Sequence, residues 1–290
     1  MTPLSERAAL VVLLRSGSRP WRAYADLVEE AGSATEVLER EGAAQESLFD
    51  ESAGLFKLAE REIADWEAAG MRLVTVLDDG YPENLRAVHD RPPLLFFSGS
   101  LQSADDRAVA VVGARRASPG GIAAARSLAQ HLTRSGFTVV SGLAAGIDAA
   151  AHTGALAAGG RTLAVLGTGL RRSYPPENAP LQRRIAAECA VVSQFWPDAP
   201  PKRHSFPIRN AVISGLSLAT IVVESSQTGG SRLQARLALE QGRPVFLWHR
   251  LLEQPWAREF ARRPGVRVGH SAEEIMSALS RLSLTGALIP

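Results

Sequence analysis

The chain has 290 residues, 46% of them hydrophobic and 21% charged, with a formal net charge of +2. That length and apolar fraction admit a sizeable core, and the near-balanced charge excludes a histone-like polycation. The single cysteine, Cys189, excludes an intrachain disulfide and a cysteine-based zinc site, and no run reaches the ~20 apolar residues of a membrane span.

Residues 1–68 read as helical. The apolar run 8–14 is short, flanked by Glu6, Arg7 and Arg15, and lacks a small-residue cleavage site. It reads as one face of a buried helix, not a signal peptide, so a soluble cytoplasmic protein is expected. Ser5 is placed to cap this helix. Helices over 21–30, 34–40 and 55–69 follow, broken at Gly17 and Gly32 and closed by Gly70. No polar constellation stands out here.

The pattern then changes. Residues 72–77 are β-like, Tyr81-Pro82 and Arg91-Pro92-Pro93 punctuate a loop, and 94–97 is a short apolar strand. From residue 108 short apolar strands (108–112, 137–140, 162–166, 190–193, 219–224, 244–248) alternate with helices (121–135, 149–158, 179–188, 233–241). This predicts a mostly parallel, Rossmann-like α/β sheet covered on both faces. Residues 271–282 predict a last helix with a frayed end.

Four strands run into small-residue loops: Val112-Gly113-Ala114-Arg115-Arg116-Ala117-Ser118, Ser141-Gly142-Leu143-Ala144-Ala145-Gly146, Leu166-Gly167-Thr168-Gly169, and Glu224-Ser225-Ser226-Gln227-Thr228-Gly229-Gly230-Ser231. In an open parallel sheet such loops gather at the carboxyl ends of the strands, where ligands bind. Helix N-termini there offer free N–H groups and partial positive charge to a phosphate. One glycine loop is weak evidence; four in one sheet argue for an anion-binding edge. Neither a P-loop nor a G-x-G-x-x-G fingerprint is present, so neither an ATPase nor a classical NAD enzyme is expected, and no cofactor or metal.

Arg115 is the cation best placed in the first loop; the alternative is a solvated surface arginine. Lys202, Arg203, His204 and Arg209 surround Phe206-Pro207. A basic cluster around an aromatic ring is how single strands are held, charge on phosphate and ring on base. Phe206 as plain core stands equally open. Asp148 reads as a helix cap, and His152, four residues on, as its structural partner. The Tyr174 ring reads as packing or as a base platform.

Together these motifs resemble the DNA-processing protein A (DprA/Smf) family. The resemblance runs through Val109-Ala110-Val111-Val112-Gly113-Ala114-Arg115, Val140-Ser141-Gly142-Leu143-Ala144-Ala145-Gly146-Ile147-Asp148, Ala164-Val165-Leu166-Gly167-Thr168-Gly169, Tyr174-Pro175, Phe206-Pro207-Ile208-Arg209-Asn210 and Ser214-Gly215-Leu216-Ser217. It covers about 180 residues, in order. It implies a helical, SAM-like domain (1–70), an extended Rossmann-like domain (71–270) and a C-terminal helix and tail (271–290). It also implies sequence-tolerant binding of single-stranded DNA, homodimerisation, and delivery of the strand to the RecA recombinase in natural transformation. Catalysis is not implied. Carried over residue by residue, Arg115 falls on the family's phosphate-holding arginine, with Arg116 and Ser118 in the same loop. Arg209 and Asn210 fall beside the same groove, Lys202 and Arg203 in the basic stretch before it, and Gly229, Gly230 and Ser231 on a small-residue loop.

There are departures. Ser193-Gln194 replaces the family's Ser-Glu, and Trp248-His249-Arg250-Leu251-Leu252 replaces a Pro-Gly loop tied to dimer contacts. The winged helix of many members has no counterpart in residues 271–290. Two rivals remain at this point. A nucleotide phosphoribohydrolase needs a carboxylate after its glycine loop, where this chain has Arg232-Leu233-Gln234. A protein-interaction scaffold predicts no affinity for oligonucleotides.

Overall fold

The computed structural model describes residues 2–43, 49–226 and 229–284. Four helices come first: α1 (Leu4–Ser16), α2 (Trp21–Ala31), α3 (Ala34–Ala43) and α4 (Phe49–Ala68). α1 begins one residue before Ser5, so Ser5 lies inside its first turn and Pro3 stands at the N-cap. Gly17, Gly32 and Gly70 follow α1, α2 and α4 with positive φ, the backbone region that ends a helix most easily at glycine.

The rest is built on one nine-stranded sheet. Its strands are β1 (Arg72–Thr75), β2 (Leu94–Gly99), β3 (Ala108–Gly113), β4 (Thr138–Ser141), β5 (Thr162–Val165), β6 (Ala190–Ser193), β7 (Ala219–Glu224), β8 (Val245–Trp248) and β9 (Val266–Gly269). The spatial order is β1-β2-β6-β5-β4-β3-β7-β8-β9. β3 to β9 pair parallel; β1 and β2 pair antiparallel at one edge, with Phe96 opposite Ser193 of β6. The central strands are apolar at successive positions because both faces are covered.

The intervening helices are α5 (Glu83–Arg86), α6 (Pro119–Arg134), α7 (Ile147–Ala157), α8 (Ala179–Glu188), α9 (Ser205–Gly215), α10 (Gly230–Glu240), α11 (Pro255–Phe260) and α12 (Ala272–Leu284). Val109 and Val111 of β3 face α6, α7 and α12, through Leu128, Leu132, Ile147 and Ile275. Ala110 and Val112 face the opposite layer, with Val212 of α9 and Ala235 of α10. The period-2 alternation of the strand therefore separates two helix layers. α5, α9, α11 and β9 have no counterpart among the sequence-predicted elements. Pro207 sits in the first turn of α9, where a missing N–H costs nothing, and β9 is only four residues long. The expected frayed end falls on residues 285–290, outside the described residues.

The helical segment is not separated from the sheet. Trp66 of α4 meets Phe96 of β2 edge-on at 5.0 Å, Trp21 of α2 meets Trp196 at 5.2 Å, and Arg15 lies 5.0 Å over Trp196. One hydrophobic cluster runs from Leu10 and Leu13 through Trp66 to the sheet.

β3 sits between β4 and β7, so the strand order reverses between β3 and β7. The loop after β3 leads to α6 in one layer, and the loop after β7 leads to α10 in the other. A crevice opens where such a sheet reverses its strand order.

Candidate nucleic-acid interface

That crevice is a cleft of about 520 Å³. Its walls contain Gly113, Arg115 and Arg116 from the loop after β3, Phe206, Arg209 and Asn210 from α9, and Gly229, Gly230 and Ser231 at the start of α10. These nine residues, with Asp148 of α7, thus bring ten of the residues singled out in the sequence, from four separate segments, into one concavity. Gln227 and Thr228 of the fourth loop lie outside the described residues.

Arg115 and Arg116 are exposed, and Phe206 is half-buried. The Arg115 guanidinium lies 5.0 Å from the centre of the Phe206 ring, a cation–π arrangement. Tyr174, 40% exposed, approaches the same ring at 5.4 Å. A Cβ on Gly167 would meet Phe206 at 2.7 Å, so the third glycine loop is the bed on which the ring rests. Phe206 is therefore neither core nor free: it is a platform flanked by a tyrosine and an arginine.

Arg209 is a different kind of arginine. It is 5% exposed and donates from Nη1 to the carbonyls of Val165, at 2.6 Å, and Gly142. Burial pulls its pKa down to about 10, opposed by nearby Asp148 and assisted by Arg115, so it stays a cation at neutral pH. A Cβ on Gly142 would sit 2.3 Å from that guanidinium, which is why this position has no side chain. Asp148 does not cap from outside its helix. It lies in the first turn of α7, and its carboxylate accepts from the amides of Gly142 at 3.2 Å and Ala144 at 3.4 Å. Burial raises its pKa, against the pull of Arg209 and those amides. The expected Asp148–His152 pair is absent: His152 Nδ1 lies 2.7 Å from Thr162 Oγ1.

Several predicted phosphate contacts are already engaged within the protein. The Ser118 amide donates to Glu224 at 3.0 Å and its hydroxyl at 2.7 Å, while Ser118 Oγ also caps α6 by accepting from Gly121 N. The N-terminus of α6 thus holds a carboxylate from β7. The Gly142 amide faces Asp148, as above. Gly146, at φ 79°, packs against Ala114 and Arg115, where a Cβ would meet the Ala114 carbonyl at 2.3 Å. The Gly169 amide donates to the Ala199 carbonyl, away from the cleft. The Ser231 hydroxyl donates to Ser225 Oγ at 2.7 Å. Lys202 and Arg203 are exposed in the loop before α9 and do not line the cleft. Sequence reasoning had missed the role of Glu224, because nothing local marks a carboxylate whose partner is 106 residues away. Among the described residues no group of His, Cys, Asp and Glu could hold a metal ion, and no helix is long and apolar enough to cross a membrane.

The family model for DNA recombination-mediator protein A matches residues 72–266, the whole sheet up to its last strand. The chain belongs to that family. It is 42% identical over 179 residues to Protein Smf of a Synechocystis strain, covering 60% of this chain and 45% of the relative. DNA processing protein A from Streptococcus pneumoniae superposes with a TM-score of 0.66 at 34% identity, covering 77% of this chain and 81% of that one. DNA processing protein A from Helicobacter pylori, whose structure is described for its single-stranded DNA binding mode, superposes with a TM-score of 0.65 at 26% identity, covering 73% and 96%. The chain spans about half the length of the Synechocystis relative, and 61% of the DNA processing protein DprA of Streptococcus pneumoniae.

Proposed function

We propose that this protein binds single-stranded DNA, with little sequence preference, in the cleft at the carboxyl ends of β3 and β7. The observation that carries this reading is the platform at the cleft wall: an exposed cation, Arg115, stacked on a half-buried ring, Phe206, with Tyr174 beside it. Base-on-ring stacking with cations along the backbone is how single strands are held without readout of sequence. Arg115 and Arg116 take phosphates, Phe206 and Tyr174 take a base, and the first turn of α10, beginning at Gly230 with Gly229 beside it, presents a helix N-terminus to a second phosphate. Lys202 and Arg203 meet the strand as it leaves the cleft, with Asn210 at the inner wall. Arg209 is a positioning residue: it ties the loop after β4 to the end of β5. Family membership and the Helicobacter pylori protein's single-stranded DNA binding support the reading. We further infer that a homodimer delivers the strand to a recombinase of the RecA class during natural transformation, without chemistry of its own.

The test is fluorescence anisotropy of a labelled oligo-dT at several salt concentrations, with wild type and Arg115→Ala. Wild type binds and weakens steeply with salt. The variant binds less tightly, with a log–log salt slope shallower by about 0.7, one phosphate contact on a single strand. Wild type that ignores the oligonucleotide at low salt would overturn the reading, and AMP hydrolysis would then be measured.

A further inference from the structure

A second groove opens beside the cleft, between α10 and α11, with a volume of about 320 Å³. It shares Gly229 and Leu233 with the cleft, so the two are continuous over the start of α10. Arg232 and Arg236 lie four residues apart on the exposed face of α10 and so project to the same side. Trp256 and Phe260 lie four apart on α11, ring centres 6.2 Å from one another. The Arg232 guanidinium is 5.0 Å over Trp256, and Arg263, from the turn before β9, is 5.2 Å over Phe260. Arg236 reaches Glu240 at 3.6 Å with both side chains more than half exposed, a contact that a phosphate can displace readily. The groove repeats what marks the cleft: guanidinium groups held against aromatic rings, on a floor made apolar by Leu233.

We propose that this groove is a second subsite for the same single strand of nucleic acid, an inference that rests on the cleft reading. A strand leaving the cleft at Gly229 runs along α10, where Arg236 is roughly 10 Å further on at 1.5 Å per residue. Arg236 and Arg263 take backbone phosphates there, and a base lies against the half-buried ring of Phe260. Trp256, 8% exposed, backs Arg232 instead of touching the strand.

The experiment compares dT oligonucleotides of about 6 and about 20 nucleotides, with wild type, Arg115→Ala and the triple variant R232A/R236A/R263A. The triple variant is expected to bind the short oligonucleotide as wild type does. It is expected to bind the long one at least about tenfold more weakly, with a salt slope shallower by about 1.4, two phosphate contacts at about 0.7 each. Phe260→Ala should weaken the long oligonucleotide without changing the slope. If the triple variant binds the long oligonucleotide like wild type, while Arg115→Ala does not, the second subsite is overturned and the cleft reading stands. If wild type binds neither length, both are overturned. Light scattering completes the test: a fall in mass in the triple variant means that the groove seats a second copy of the chain, which also overturns the inference.

Discussion

Arg115 and Arg209 show how one residue type serves two purposes a few ångströms apart. Arg115 is exposed on an aromatic ring, and its loss should cost binding but not folding. Arg209 is buried against two carbonyls and faces Asp148, and its loss should cost folding. Arg209→Met leaves those carbonyls without a donor and a buried carboxylate without its nearby cation, which we expect to cost roughly 3–5 kcal/mol. Urea unfolding checks this, and a loss below about 1 kcal/mol would show that Arg209 is no keystone. Phe206→Ala should weaken oligo-dT binding by about 1–3 kcal/mol, the usual cost of a lost base–ring stack, with little change in salt slope because no charge is removed. A flattened slope would mean that the ring acts by orienting Arg115 instead. Arg115 and Phe206 could be picked out from the sequence because each sits in a motif with a local signature. The different fate of Arg209 could not, since its carbonyl partners are 67 and 44 residues away.

At the scale of elements, three of the four glycine loops line the cleft, those after β3 and β7 along its walls and the one after β4 through Ala144, while the loop after β5 does not. The loops after β4 and β5 are supports: the first wraps Asp148 and Arg209, and the second carries Phe206. The N-terminus of α6 is neutralised from within by Glu224. Glu224→Ala should therefore lower stability by about 1 kcal/mol, the value of a carboxylate at a helix N-terminus. It should also strengthen oligo-dT binding, because Ser118 is released and a negative charge leaves the rim. Measured together by urea unfolding and anisotropy, unchanged stability with weaker binding would refute this account. α9 escaped sequence reasoning because its first turn reads Ser205-Phe206-Pro207, a pattern that looks like a loop until the rest of the fold supplies the apolar face for Val212 and Ile213.

At the scale of the whole molecule, the N-terminal helices and the sheet share the aromatic cluster of Trp21, Trp66, Phe96 and Trp196. We expect both parts to unfold in one transition, and Trp66→Ala to cost roughly 3–5 kcal/mol. Two resolved transitions in the wild type by calorimetry would contradict this. Acid sensitivity has an identifiable source in the same core. His152 is fully buried, and burial, with a further push from Arg209, pulls its pKa to about 3 from an ordinary 6.5. Between those values the unfolded chain binds a proton that the folded chain refuses, so stability falls as pH falls, by up to about 1.4 kcal/mol per pH unit. Asp148 acts in the opposite sense: its raised pKa contributes stability at low pH that is lost as pH rises through the folded value. His152→Met should flatten the acid limb of the stability curve between pH 6.5 and about pH 4; an unaltered limb would assign the acid sensitivity elsewhere.

The amino-acid sequence alone determined the class of fold, the alternation of strands and helices from residue 108 onward, the four loops and the aromatic-basic motif around Phe206, because each rests on contacts within a few residues: hydrophobic period, turn chemistry and helix caps. The antiparallel edge, the placing of β3 between β4 and β7, and the division of the glycine loops into those that face the cleft and those that support it were decided by tertiary structure. Which amide, carboxylate or guanidinium remains available to a ligand depends on what the rest of the fold brings against it. For Ser118, Gly142 and Arg209 those partners come from other strands and helices, so only the folded chain could decide between a binding contact and a structural one.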